Sequence, residues 1–293
     1  MKKVNFITVL ALFGFVFFVS CSNDDDTPAS QNLTLNIDGL DDLGPNFKYE
    51  GWIMVNNVPV STGVFTVGSN GILSQTLFPI AQADLVAATK FILTIEPFPD
   101  ANSSPSSTHI LAGTFSGSSA SLTIGAPEAL GNSFTTASGS YVLATPSDGS
   151  NNNENSGVWF LGSLPPAVGL SLPTLPDGWQ YEGWAVIDGT PVTTGTFTNV
   201  SGADAFSGFS GPSATPPFPG EDFIVNAPDG LTFPIDLAGG KAVISIEPYP
   251  DNSPSPFLLK PLVGNISSTA VDHIVYPMDN NATGSSPTGS AAR

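Results

Sequence analysis

The chain has 293 residues, with 7 lysines and arginines against 25 aspartates and glutamates, for a formal charge of −18 at pH 7. So acidic a chain has little with which to neutralise phosphates, which excludes nucleic acid as a partner and docking on anionic lipid by charge. Charged residues are only 11 % of the sequence while aromatics reach 10 %, which excludes a disordered chain and leaves enough apolar area for cores of ordinary size.

Lys2 and Lys3 precede an uncharged apolar run from Phe6 to Val19, which ends at Ser20 and Cys21. A positive n-region followed by a short apolar stretch predicts a cleaved signal peptide over residues 1–20; the run of 14 residues falls short of the roughly 20 that span a bilayer. Cys21 is the only cysteine, so no internal disulfide can form. Its position after a small residue resembles the lipobox of bacterial lipoproteins, with Phe18 standing where an aliphatic residue is preferred. That resemblance implies acylation of Cys21 and attachment to a membrane through the lipid anchor. Residues 21–31 form an acidic tether whose Asp24-Asp25-Asp26 run is similar to the surface-export signal of some Gram-negative lipoproteins. The expected location is therefore the outer membrane, on the cell surface rather than the periplasmic face. Cleavage removes two lysines and leaves 5 basic residues against 25 acidic ones, a net charge of −20 that favours solubility.

The strongest internal signal is a duplication. Tyr49-Glu50-Gly51-Trp52 recurs as Tyr181-Glu182-Gly183-Trp184, and the same offset of 132 carries Leu40, Leu43, Pro59, Val60, Gly63 and Phe65 onto Leu172, Leu175, Pro191, Val192, Gly195 and Phe197. Further on, Ile95-Glu96-Pro97-Phe98-Pro99-Asp100 matches Ile246-Glu247-Pro248-Tyr249-Pro250-Asp251 at an offset of 151, so the second copy carries 19 extra residues between the blocks. Self-similarity at this length marks two domains and not solenoid units. The predicted layout is module one at 32–147, a polar linker at 148–156 with nothing to bury, module two at 157–278, and a small, polar, disordered tail at 279–293.

Local patterning makes each module all-β. Tyr49-Glu50-Gly51-Trp52 continues as Ile53-Met54-Val55 with both faces largely apolar, which predicts a central strand, and Asn56-Asn57 after it predicts a tight hairpin turn. Residues 80–89 are the one helix candidate outside the signal peptide. Phe91, Leu93 and Ile95 alternate with Ile92, Thr94 and Glu96 at the period of a strand. In the second copy Ala185-Val186-Ile187 leads into Asp188-Gly189, a strong two-residue turn, and Ala242, Ile244 and Ile246 alternate with Val243, Ser245 and Glu247. With 27 prolines and 30 glycines scattered between such runs, the expected fold is two tandem immunoglobulin-like β-sandwich modules after the cleaved signal peptide.

In module one, Tyr49, Trp52, Pro59, Val60, Gly63, Phe65, Ile95, Glu96, Pro97, Ser104, Pro105, Leu111 and Gly113 form a pattern that resembles the C-terminal domain of anti-sigma-K factors. In module two the same pattern is carried by Tyr181, Trp184, Pro191, Gly195, Phe197, Ile246, Glu247, Pro248, Ser253, Pro254 and Gly264. The resemblance implies an extracytoplasmic module acting in binding or envelope sensing. In that family a separate cytoplasmic zinc-type domain, reached through a spanning helix, grips the sigma factor. This sequence has neither the spanning helix nor the His-x-x-x-Cys-x-x-Cys motif, so direct sigma-factor binding is not expected.

Catalytic signals are weak. A serine nucleophile needs a base within reach, and the only histidines, His109 and His273, fall in or beside predicted strands with no Gly-x-Ser-x-Gly elbow in the chain. Glu50 with Glu96, and Glu182 with Glu247, recur at matched places; they read either as a carboxylate pair in each module or, in preference, as structural groups bonding local backbone. Residues 148–154 only superficially resemble a calcium loop, no zinc spacing occurs, and no cofactor or metal is expected. The 19-residue insertion is the most individual feature: Phe209, Phe218, Glu221, Asp222 and Phe223 lie on a Pro-stiffened loop suited either to binding or to covering the module's own core. The expected function is a non-catalytic envelope lipoprotein that binds an unknown protein or glycan partner, with a surface adhesin or glycan-binding structural protein as the alternative.

Overall fold

The structure, a computed structural model, describes residues 29–149, 153–250 and 253–293. The signal peptide, Cys21 and the tether through residue 28 lie outside the described residues, as does part of the loop with superficial calcium-site character. None of the described helices is long and apolar enough to cross a membrane.

The all-β expectation holds. The first half contains β1 (Ser30–Asp38), β2 (Phe47–Val55), β3 (Val58–Phe65), β4 (Leu77–Ala81), β5 (Lys90–Pro97), β6 (His109–Thr114), β7 (Ser119–Thr123) and β8 (Ser138–Leu143). Helix α1 (Gln82–Ala87) falls within the single helix candidate. The second half contains β9 (Gly157–Trp159), β10 (Leu161–Ser163), β11 (Ala167–Val168), β12 (Leu170–Ser171), β13 (Trp179–Ile187), β14 (Thr190–Phe197), β15 (Gly220–Asp222), β16 (Lys241–Pro248), β17 (Leu262–Asn265) and β18 (Val275–Asn280). It ends with α2 (Ala282–Ser285) and β19 (Thr288–Ala292). Both predicted hairpin turns have the required backbone: φ is 52° and 64° at Asn56 and Asn57, and 50° and 84° at Asp188 and Gly189.

The strands form two large antiparallel sheets in a sandwich- and barrel-like arrangement. One runs β3-β2-β5-β6-β7-β19-β1-β4, the other β14-β13-β16-β17-β18-β8-β9-β15 with β12 also on β8. Position by position the orders match, and in each the two end strands, β3 with β4 and β14 with β15, come back into contact, so the sheet curls on itself.

The duplicated block explains why both copies keep the same four residues. The tyrosine fills the core and its hydroxyl donates to a carbonyl eight residues back: Tyr49 to Asp41 at 3.1 Å, Tyr181 to Pro173 at 2.6 Å. It stacks on the phenylalanine across the hairpin, Phe65 or Phe197, at 5.6 Å in both copies. The glycine sits at a register shift, where a side chain would run into a threonine hydroxyl (Thr62 or Thr194) and an aromatic ring, 2.9 Å from Phe91 or 2.7 Å from Phe160. The tryptophan Nε1 donates to the neighbouring strand, Trp52 to Thr94 at 2.9 Å and Trp184 to Ser245 at 2.8 Å.

Two expectations about the modules are corrected by the pairing. The tail at 279–293 is ordered: β19 lies between β7 and β1, inside the sheet of the first half, with Ala291 opposite both Ala120 and Leu35. Its counterpart β8, the last strand of the first half, lies between β18 and β9 in the sheet of the second half. Each copy therefore gives its final strand to the other, and the boundary expected near 148–156 does not separate two self-contained sheets. At the end of the expected linker, Ser156 is buried, Asn155 donates to the Ala270 carbonyl at 3.4 Å, and its own backbone carbonyl accepts from Leu237 at 3.1 Å, so these residues are part of the fold. Buried apolar residues from both halves, Leu33 to Ala291, make one continuous core.

Arg293 locks the exchanged strand. Its guanidinium donates to the carbonyls of Leu85 at 2.7 Å and Ala88 at 2.6 Å, at the C-terminal end of α1, and packs over the Phe115 ring at 4.5 Å. A cation at that end of a helix also meets the negative pole of its dipole.

Candidate functional site

The four matched glutamates bond hydroxyls of neighbouring strand residues, and Glu96 and Glu247 bond a loop amide as well. Glu96 accepts the hydroxyl of Thr94 and, at 2.8 Å, the amide of Ser106 in the loop that follows β5. Glu247 accepts the hydroxyl of Ser245 and, again at 2.8 Å, the amide of Phe257. With the tryptophan donors, each copy thus carries one relay from indole to hydroxyl to carboxylate to loop amide. Glu50 and Glu182 take the hydroxyls of Ser61 and Thr193 on the adjacent hairpin strand. Burial raises the Glu50 carboxyl above its ordinary value, against the Ser61 hydrogen bond that acts the other way. Such groups tie strands and loops together.

Neither histidine has the partners of a catalytic base. His109 Nδ1 lies 2.7 Å from the Glu128 carbonyl, and His273 is exposed beside Asp272 at 2.9 Å. Among the described residues there is no group of three or more metal-ligating side chains.

The insertion splits the predicted loop residues into two roles. Phe209 and Phe223 belong to the core, packing on each other and on Phe233 with ring centroids 5.5 to 6.0 Å apart. Asp222, fully buried, accepts the amide of Ser147 at 2.7 Å, the Ser147 hydroxyl, and Trp159 Nε1 at 2.8 Å. Ser147 in turn receives the amides of Gly211 at 2.7 Å and Ser213 at 3.0 Å. The loop is therefore pinned to the end of the first half. Asp222 serves the scaffold; burial raises its pKa, and its hydrogen bonds oppose that shift.

Phe218 and Glu221 instead line a cavity of about 290 Å³ together with Trp159, Asp204, Phe206 and Ser210. Phe218 packs against the buried cluster of Val142, Trp159 and Leu161. Phe206 is held edge-on to Phe209 at 4.9 Å. Asp204 is positioned by two backbone donors, Gly220 at 2.8 Å and Phe206 at 3.1 Å. Glu221, only 1 % exposed, accepts the Ser210 hydroxyl on Oε1, while its Oε2 has no hydrogen-bond partner among the described residues. Burial pushes the Asp204 carboxyl up to about 7 against its two amide donors. Burial likewise pushes Glu221 up to about 7, with the negative charges of Asp204 and Asp222 adding to the shift and Ser210 opposing it.

The sequence pointed to Phe218 and Glu221, and to Phe206 as the start of the insertion, but not to Asp204 or Trp159. Asp204 lies in a run of Ala, Gly and Ser with no periodicity around it, and Trp159 is 62 residues from Glu221, joined to its strand only by β9–β15 pairing. The one usable signal was the aromatic spacing of Phe206 and Phe209 within the insertion.

A larger cavity of about 410 Å³ lies where the two halves meet, between the loop at Asp41–Phe47 and the end of β16 at Glu247-Pro248. The polar groups identified there are already engaged in the fold: the Asp41 carbonyl by Tyr49 and Glu247 by Ser245 and Phe257.

No family model, curated protein or solved structure matches this chain. What fold and site define is an all-β chain of two copies of one sheet, joined by reciprocal exchange of a strand, with one acidic, aromatic cavity on the second copy.

Proposed function

We propose that this protein is a non-catalytic, lipid-anchored envelope protein that binds its ligand in the cavity of the second copy. The observation that carries this reading is that most of the cavity lining comes from residues 203–221, in the stretch where the second copy is 19 residues longer than the first, over a scaffold the two copies otherwise share. Loops fixed on a rigid sheet are where binding residues concentrate. Among the described residues no histidine lines the cavity, and both oxygens of Asp204 already hold backbone amides, which fixes that carboxyl as part of the wall. The first copy, tied to the second by β8 and β19, supports the binding copy, and the acylated Cys21 holds both to the membrane. A role in envelope sensing is the part of this reading that the resemblance of each copy to the extracytoplasmic domain of anti-sigma-K factors supports.

The test is ligand-observed NMR on the full chain in detergent against fractionated envelope solutes and glycans. A ligand whose signal is lost with Phe218→Ala and kept with Val58→Ala supports the reading. A ligand held equally by both variants, or none at all, removes it.

A further inference from the structure

We propose that the cavity takes a protonated amine, an organic ammonium group, with Asp204 and Glu221 as its counter-charges and the rings of Phe206 and Phe218 at its sides. The inference rests on the cavity being the binding site and adds the chemical class of what enters it.

Charge is the first argument. Among the described residues two carboxyls line the cavity and no lysine, arginine or histidine does, so phosphates, sulfates and carboxylates find no counter-charge there. The chain as a whole is strongly acidic, which concentrates cations at such a cleft.

The second argument is the state of Glu221. A carboxyl that is 1 % exposed with one oxygen unpartnered among the described residues costs free energy until a donor arrives. A ligand hydroxyl supplies one donor and no charge; an ammonium supplies three donors and the compensating charge. Burial already holds both carboxyls at about 7, and a cation between them would favour the ionised form of each. Metal ions fit less well, because the two oxygens of Asp204 have backbone N–H groups directed at them, and no third carboxylate, histidine or cysteine completes a set among the described residues.

The third argument is shape. Aromatic faces attract ammonium groups through their quadrupoles, and Phe206 and Phe218 are the half-buried rings of the lining. About 290 Å³ lies at the small end of ligand cavities, room for one ring or a short alkyl chain.

The experiment is isothermal titration of the full chain in detergent with four probes in matched pairs: butylammonium against butanol, and glucosamine against N-acetylglucosamine. Charged members should bind at least about tenfold more tightly than their neutral partners. The affinity of butylammonium, which stays protonated throughout, should fall as pH drops from about 8 to about 5 and the carboxyls protonate. Glu221→Gln and, independently, Asp204→Asn should each weaken the charged probes by about tenfold while thermal melts show the fold intact. Preference for glucosamine over butylammonium would point to an amino sugar, the reverse to a simple amine or lysine-like chain. Neutral probes binding as tightly as charged ones, in a manner lost with Phe218→Ala, would leave the binding site standing and overturn the ammonium assignment. No probe binding in a Phe218-dependent manner would overturn the ammonium assignment, and the binding-site reading would then be decided by the solute screen.

Discussion

Removing residues 286–293 deletes β19 and should damage the far end of the chain. All five strand residues have partners on both sides, β1 and β7, so about ten ladder hydrogen bonds are lost. At about 1 kcal/mol net each they contribute roughly 10 kcal/mol, offset by about 5–8 kcal/mol for ordering five residues. The net loss is thus about 2–5 kcal/mol, before the carbonyl contacts of Arg293 are counted. That is a large part of an ordinary domain's stability, and it corresponds to a fall in melting temperature of roughly 5–20 °C. Urea denaturation gives the size, and hydrogen exchange gives the place: amides of β1 and β7 should lose protection while those of β17 and β18 keep theirs. A synthetic peptide of residues 284–293 should restore protection to β1 and β7. A loss below about 1 kcal/mol, or exchange confined to the second half, would refute the strand exchange.

Four further outcomes follow from the same geometry. Thr94→Val and Ser245→Ala each interrupt an indole-to-carboxylate relay and leave a buried tryptophan N–H unpaired, so each should cost about 1–3 kcal/mol in urea denaturation. Gly51→Ala and Gly183→Ala force a methyl group into a threonine hydroxyl and a ring, and should cost more than about 2 kcal/mol and broaden the spectra of the core aromatics. Asp204 and Glu221 are raised to about 7 in the folded chain from ordinary values of 3.8 and 4.5, so the fold binds their protons more tightly than the unfolded chain does. Their stabilising contribution is therefore complete below about pH 4 and lost as pH rises through about 7; Glu221→Gln, which keeps an acceptor for the Ser210 hydroxyl, should raise the melting temperature at about pH 8 and change it little at about pH 4. Cys21→Ser should move the protein from the membrane to the soluble fraction and abolish labelling by radioactive fatty acid.

Much of the fold was legible because the repeat is written in residues that each have a demanding local role. A buried tyrosine with a hydroxyl partner, a glycine at a crowded register shift and a tryptophan that needs an acceptor leave few alternatives, so Tyr-Glu-Gly-Trp survives in both copies. The turns at Asn56-Asn57 and Asp188-Gly189 were legible for the same reason, since each demands positive φ. The strand exchange was not. The exchanged strands share only a short match, Ser138-Gly139-Ser140 with Thr288-Gly289-Ser290. Because the two receiving slots have the same neighbours, local pattern cannot say which slot a strand enters; that is a matter of connection length and of contacts such as those of Arg293. The small polar residues of 279–293 read as disorder because a five-residue strand flanked on both sides needs little apolar surface of its own, and Ala291 alone is buried in it.

The cavity was half legible. Phe218 and Glu221 stand out in a Pro-rich loop, whereas Asp204 and Trp159 reach it only through tertiary pairing. Phe209 and Phe223, equally prominent in the sequence, pack into the core, where they form a three-ring cluster with Phe233.

The most direct measurement is a crystal structure of the chain with butylammonium at about pH 8. A nitrogen within about 2.7–2.9 Å of oxygens of both Glu221 and Asp204, with the alkyl chain against Phe206 and Phe218, is the predicted result. An amine found elsewhere on the surface, with the cavity unchanged, would contradict it.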